Sequence, residues 1–178
     1  TQEIEDMGFD WRPWDLNRRS IYPWEELVAI VELYKIYREL QPKGVHHFTI
    51  KPILYGSLAA RAADVPHVIN NFTGLGYLFG EARTARFLRW IILPILRRTF
   101  KQGAGFHTAF QNPEDRAHLV SLGIVPEDKT TLIPGTGVDM EQFKPLPLEL
   151  KEHGPPVVIM AARLLWDKGV AEYVTTAK

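Results

Sequence analysis

The sequence predicts an α/β fold: a parallel sheet covered by helices in one larger domain, followed by the opening of a second α/β unit. Three observations predict it. Short runs rich in branched and aromatic residues, VHHFTI, HVINNF, GFHTAF and KTTLIP, alternate with longer segments of helical period. The connections between them are short, so each helix serves as a crossover between neighbouring parallel strands, with helices expected on both faces. A proline-rich break, GTGVDMEQFKPLPLELKEHGPP, then separates the last of these strands from a new apolar run, VVIMAA.

Taken in order, TQEIEDMGFDW reads as the end of a helix running into a strand, FDWRPWDL. An amphipathic helix is expected from Pro23 to Leu40. Pro23 suits its first turn, Glu25 and Glu26 favour its positive end, and Leu27, Ile30, Val31, Tyr34 and Tyr37 recur at three- and four-residue spacing before Pro42 ends it. The strand VHHFTI follows, then the small-residue helix PILYGSLAARAA, the strand HVINNF and the glycine-bearing loop TGLGYLFG. RTARFLRWIILPILRRTFKQ is expected to be helical with a kink or break at Pro94. After the strand GFHTAF, Asn112 is an N-cap, Pro113 a first-turn residue and Gly123 a stop signal for NPEDRAHLVSLG. The pattern divides the chain into residues 1–135, a linker over 136–155, and the start of a second domain over 156–178.

Composition narrows the function classes. The 178 residues carry 21 basic and 21 acidic side chains and 46% hydrophobic residues, enough for an ordinary core and no net field to recruit nucleic acid. With no cysteine there is no disulfide, zinc-thiolate site or thiol nucleophile, and a reducing compartment is permitted. The first residues show no basic stretch leading into an apolar one, so they are not a signal peptide. The neutrality is an average: residues 81–113 hold six Lys/Arg against one acid, while 114–178 hold seven against ten. Arg83, Arg86, Arg89, Arg97, Arg98 and Lys101 alternate there with apolar and aromatic residues around Trp90. Such a segment suits a helix lying in an anionic membrane interface, or equally a core-packed helix with solvated arginines. The run from Trp90 to Leu96 is far shorter than the roughly 20 residues a membrane span needs.

The residues placed for chemistry lie in loops after strands. In VVIMAARLLWDKGVAEYV, Arg163 and Lys168 follow a strand and precede a helix, the place where open α/β sheets bind anions; the alternative is that they pair with Asp167 and Glu172. Gly135 and Gly137 permit a close backbone approach to a ligand or merely a tight turn. His46 and His47 end a strand near Lys51, where a ligand would be met, but adjacent strand residues face opposite ways, so one imidazole belongs inside. Arg18 and Arg19 could bind a ligand phosphate or be plain surface charge. Gly74, Gly76 and Gly80 miss the dinucleotide fingerprint by one residue and lack its acidic partner, which argues against a nicotinamide enzyme. No carboxylate or histidine cluster has metal-ligand spacing.

Several of these motifs occur together and in order: HHFTIKPILYGSLAAR, VPHVINNFTGLGYLF, FQNPEDR, LIPGTGVDMEQF and ARLLWDKGV. In that order they resemble the retaining glycosyltransferases of family 4, most closely the bacterial subgroup that builds lipid-linked oligosaccharides and polysaccharides. The resemblance implies the GT-B fold of two facing Rossmann-like domains, with residues 1–135 from the acceptor-side domain and 156–178 opening the donor-side one. It implies a nucleotide diphosphate sugar as donor, UDP-linked, a glycan or polyprenyl-diphosphate-linked acceptor, and retention of configuration. Arg163 and Lys168 would grip the donor diphosphate, with no metal or other cofactor. Gly135, Gly137, Thr73 and Gly74 would line the cleft, although Thr73 stands where many relatives have histidine. The resemblance also implies a cytoplasmic protein, peripheral on the inner face of the membrane. The chain lacks the family's first βα unit and later C-terminal motif, so it reads as an inactive fragment of the parent enzyme. A non-catalytic membrane- or polyanion-binding α/β module is the alternative; it would leave ARLLWDKG and GTGVD unexplained.

Overall fold

A computed structural model describes residues 2–17, 20, 22–75, 83–102, 105–135, 137–144, 157–162, 164 and 166–177; the side chains of 83–88, 101, 102 and 167 lie outside that description. The chain divides into two compact units, Thr1–Gly137 and Val138–Lys178.

The first unit follows the alternation of the sequence: α1 (Gln2–Asp6), α2 (Pro23–Leu40), β1 (Gly44–Phe48), α3 (Ile50–Ala62), β2 (His67–Phe72), α4 (Arg83–Gln102), β3 (Phe106–Phe110), α5 (Pro113–Ser121), a 3-10 turn (Glu127–Lys129) and β4 (Thr130–Leu132). The four strands form one parallel sheet in the order β1-β2-β3-β4. Asn112 caps α5 as its residue type requires, its side-chain oxygen accepting from the Asp115 N–H at 2.7 Å.

The sheet order decides where the helices go. Each crossover moves one strand in the same direction, and right-handed connections that never reverse place every helix on one face. That face holds the core: Val68, Phe72, Phe106 and Phe110 from the strands meet Ile53 and Ala60 of α3, Leu96 and Phe100 of α4 and Leu119 of α5. The helices expected on the other face are not found among the described residues, and Phe48 and Ile69 stay 46% and 42% exposed there.

Three further expectations change. FDWRPWDL forms no strand: Pro13 cannot donate to a ladder, and Trp14 instead donates its indole N–H to the Ala29 carbonyl at 2.9 Å, fastening the segment to α2. On α2 the buried face centres on Ala29, Leu33 and Tyr37, whereas Leu27 and Val31 are exposed. This helix is apolar on two sides, and the period alone could not say which one docks. Of the kink or break expected at Pro94, the break is absent: α4 continues through it, with Ile92 and Leu93 before it and Leu96 and Phe100 after it packed on the same core.

In the second unit, residues 157–162 are not a strand. A strand exists through its neighbour's hydrogen bonds, and no partner strand is present among the described residues of this unit. Val157, Val158 and Ile159 are exposed. A 3-10 turn (Trp166–Lys168) and α6 (Val170–Thr176) follow, and the Tyr173 hydroxyl donates to the Val158 carbonyl at 2.6 Å.

Candidate functional site

Parallel strands deliver all their carboxyl ends to one edge, and in the first unit four loops leave from it: Thr49, Thr73–Gly74, Gln111–Asn112 and Ile133–Gly135. The pairing continues past the strands, with Gln111 N–H donating to Phe72 O at 3.3 Å and Ile133 N–H to Phe110 O at 2.8 Å. Thr49 is strained. It sits at φ +70°, ψ 161° as the residue before α3, a conformation a β-branched side chain avoids at a cost of roughly 1–3 kcal/mol. Its carbonyl starts α3 by accepting from Ile53 N–H at 3.0 Å. Beside it, Asn71 is 7% exposed, and its Oδ1 has no hydrogen-bond partner among the described residues. Strain and an unpartnered buried acceptor thus meet at the edge where open α/β sheets bind ligands.

Of the residues expected at this edge, Thr73 is exposed and Gly74 half-buried at φ +144°. Gly135 and Gly137 both take left-handed conformations, φ +71° and +75°, and a Cβ on either would touch nothing within 4 Å. A positive φ fits both explanations open for these glycines, a tight turn and a close backbone approach to a ligand.

The histidine pair resolves by side. His46 is exposed and packs against Phe48, the rings tilted by 35° with centroids 4.1 Å apart. His47 is a core residue, 5% exposed, its ring enclosed by α2, β2 and α3. Asn70 Oδ1 can only accept, so His47 Nδ1–H donates to it at 2.8 Å, and His47 Nε2 then accepts from the Tyr37 hydroxyl at 2.8 Å. Ser57 closes the chain against Asn70, at 3.0 and 3.2 Å. Gly56 makes room for it: a Cβ there would lie 2.3 Å from His47 Nε2. Burial lowers the His47 pKa, only partly offset by the Asn70 bond. Burial also pushes the Tyr37 phenol up to about 12. The network is neutral and structural, tying α2, β1, β2 and α3 together.

Lys51 is equally committed. Its ammonium donates to Asn17 O at 2.9 Å, Ser20 O at 2.7 Å and Glu26 Oε1 at 2.8 Å, which uses all three of its N–H groups. Tyr55 donates its hydroxyl to the other Glu26 oxygen, and burial followed by Glu26 raises the Tyr55 pKa. The cation thus anchors the segment flanking Arg18 and Arg19, which themselves lie outside the described residues. A shallow groove of ≈1240 Å³ opens between this segment and α2, lined by Asp15, Glu25, Glu26 and Glu32 against Lys35. Among its described lining residues carboxylates outnumber basic groups.

In the second unit, Lys168 ends the 3-10 turn with an exposed side chain, and Gly169 at φ +72° joins it to α6. Arg163, and the side chain of Asp167, lie outside the described residues, so the choice between a phosphate site and local ion pairing rests on the sequence alone. Of the basic segment, Arg97 donates to the Leu122 carbonyl at 2.6 Å, pinning α4 to the end of α5. Arg98 and Trp90 are exposed and Arg89 is half-buried, while the side chains of Arg83, Arg86 and Lys101 are outside the description. No group of three metal-binding side chains is found among the described residues.

Sequence reasoning missed Thr49, Asn71 and the Tyr37–His47–Asn70–Ser57 chain. Thr49 carries no sequence signal. The asparagine pair did, since two amides in the middle of an apolar strand must each find partners on opposite faces.

A parallel sheet with its helices on one face and its loops gathered at the carboxyl edge gives this unit a Rossmann-like α/β arrangement. The chain belongs to the glycosyl transferase 4-like family, whose model matches residues 1–104. It is 27% identical over 188 aligned residues to the N,N'-diacetylbacillosaminyl-diphospho-undecaprenol alpha-1,3-N-acetylgalactosaminyltransferase of Campylobacter jejuni, covering 99% of this chain and 49% of that protein. It is 24% identical over 128 residues to the UDP-Gal:alpha-D-GlcNAc-diphosphoundecaprenol alpha-1,3-galactosyltransferase of Escherichia coli, covering 71% of this chain and 31% of that protein. The chain thus spans half or less of the length of these curated relatives.

Proposed function

We propose that this chain belongs to a retaining glycosyltransferase that moves a sugar from a nucleotide diphosphate donor, UDP-linked, to a polyprenyl-diphosphate-linked acceptor at the inner face of a membrane. The observation that carries the reading is the family membership, joined to two relatives whose names both specify a diphospho-undecaprenol-linked acceptor. Arg163 and Lys168 hold the donor diphosphate. As the bond to the anomeric carbon breaks, negative charge grows on that leaving group, and fixed cations stabilise it most where it is largest. With two such cations the leaving group needs no divalent metal. The carboxyl edge of the first sheet, with Thr49, Asn71, Thr73, Gly74, Gly135 and Gly137, receives substrate hydroxyls. Asn71 Oδ1, buried and without a partner among the described residues, supports that placement. Arg18 and Arg19 meet the acceptor phosphates.

The test is transfer of radiolabelled sugar from UDP-sugars to an undecaprenyl-diphosphate-linked N-acetylhexosamine, by the protein carrying this chain. Transfer should persist in EDTA and fall by about 10²-fold or more in kcat for Lys168→Ala, with unchanged thermal unfolding. Near-normal turnover of that variant would remove the diphosphate role.

A further inference from the structure

Two helices of the first unit expose an apolar stripe, in opposite charge surroundings. On α2 the stripe is Trp24, Leu27, Val28 and Val31, with Glu25 and Glu32 beside it. On α4 it is Trp90, Ile91 and Ile95, 75%, 42% and 37% exposed, with exposed Pro94 and Arg98 at the same three- and four-residue spacing. The opposite side of α4 is docked through Leu96 and Phe100, each 1% exposed. The stripe is therefore the outward face of a seated helix. No acidic residue occurs anywhere from Ala82 to Pro113, and Arg83, Arg86 and Arg89 fall in the helix's first two turns.

We infer that the Trp90–Arg98 face of α4 seats on an anionic bilayer surface, with Trp90, Ile91 and Ile95 in the headgroup layer and Arg98 on lipid phosphates. Charge and apolarity decide the occupant together. A soluble polyanion would engage the arginines but leave three large apolar side chains in water. A bilayer interface takes both: indole rings settle at headgroup depth, aliphatic side chains reach the acyl boundary, and each nearby basic residue adds roughly fivefold in partitioning. The face from Trp90 to Arg98 is about 12 Å long, which lies along an interface. No helix among the described residues is long and apolar enough to cross a membrane. On α2 the same kind of stripe is flanked by carboxylates, which an anionic surface repels. That makes α2 the control within the molecule.

The inference stands on α4 alone. It is tested without sugar nucleotide or acceptor, so its failure and that of the transferase reading are separable. The full chain is floated with vesicles rich in phosphatidylglycerol and with pure phosphatidylcholine, at low salt and at about 1 M salt, where the screening length shrinks to about 3 Å. Flotation with the anionic vesicles is expected, much reduced by salt and nearly absent with phosphatidylcholine. Trp90→Ala/Ile91→Ser and, separately, Arg98→Glu should each lower binding by about tenfold, whereas Trp24→Ala should bind like the parent. Circular dichroism checks each variant's fold, and the exposed Arg98→Glu keeps the test decisive if the double variant unfolds. The inference is overturned by no flotation, by equal flotation with phosphatidylcholine, by undiminished binding of the α4 variants, or by an equal loss in Trp24→Ala. Tight binding to duplex DNA with no vesicle binding would also overturn it.

Discussion

Acidification should weaken this fold through one side chain. His47 is neutral in the folded state, donating from Nδ1 to Asn70 and accepting at Nε2 from Tyr37. A second proton on the ring would reverse the Tyr37 bond and place a positive charge with no carboxylate partner in a buried site. Burial accordingly lowers its pKa below the ordinary 6.5. The unfolded chain then binds a proton that the folded chain refuses. Stability from this group is complete above pH 6.5 and is lost as pH falls toward the folded-state value. The limiting slope for one proton is about 1.4 kcal/mol per pH unit. For a unit of this size, that is about 5 °C in the unfolding midpoint per pH unit. Thermal unfolding followed by circular dichroism from pH 7.5 to 5 measures it, alongside His47→Gln. That variant should be less stable at pH 7.5 yet lack this part of the slope. A midpoint in the parent that stays flat between pH 7 and 5.5, or a slope that survives in His47→Gln, would refute the reasoning.

Other consequences follow from the same contacts. Lys51→Met removes three donors at once and leaves the Glu26 carboxylate beside Tyr55 without its cation; urea unfolding should show a loss of about 2 kcal/mol, moderated because both side chains retain some solvent. Gly56→Ala drives a methyl into the His47 ring and should cost about 1–3 kcal/mol. In a His47→Ala background the same substitution should instead stabilise by about 1 kcal/mol, since only the helix preference for alanine is left. A loss of equal size in both backgrounds would place the clash elsewhere. Asn70 and Asn71 should separate stability from binding. Asn70→Ala strips partners from His47 and Ser57 and should lower stability by about 2 kcal/mol, whereas Asn71→Ala should leave unfolding within about 1 kcal/mol and raise the KM for the lipid-linked acceptor.

The parts of the fold legible in the sequence were those set by local chemistry. The Pro23–Leu40 helix has its proline and acids at one end and a proline beyond the other. The Pro113 helix has an asparagine whose side chain has one good use. The four strands of the first sheet were legible because each is a short branched or aromatic run between turn residues. VVIMAA has the same composition and is not a strand, because composition supplies the preference and a neighbouring strand supplies the hydrogen bonds. FDWRPWDL failed for a related reason: Trp14 found a carbonyl on α2 before Phe9 or Leu16 found a ladder.

What linear sequence withholds is rotational phase and the identity of partners, and the candidate site depends on both. Alternation showed that one of His46 and His47 faces inward, but the choice belongs to Gly56, nine residues away, whose missing side chain leaves space for a ring. Lys51 has the charge and position of a phosphate ligand, and only the carbonyls of Asn17 and Ser20, more than thirty residues upstream, reveal that its donors are taken. The same limit applied to the basic segment, where composition could not separate a docked helix from a surface one. The structure shows α4 to be both at once, apolar toward the core through Leu96 and Phe100 and apolar toward the outside through Trp90 and Ile95. A helix with two apolar faces and no acidic residue has a second surface to satisfy, and its charge decides which surface that is.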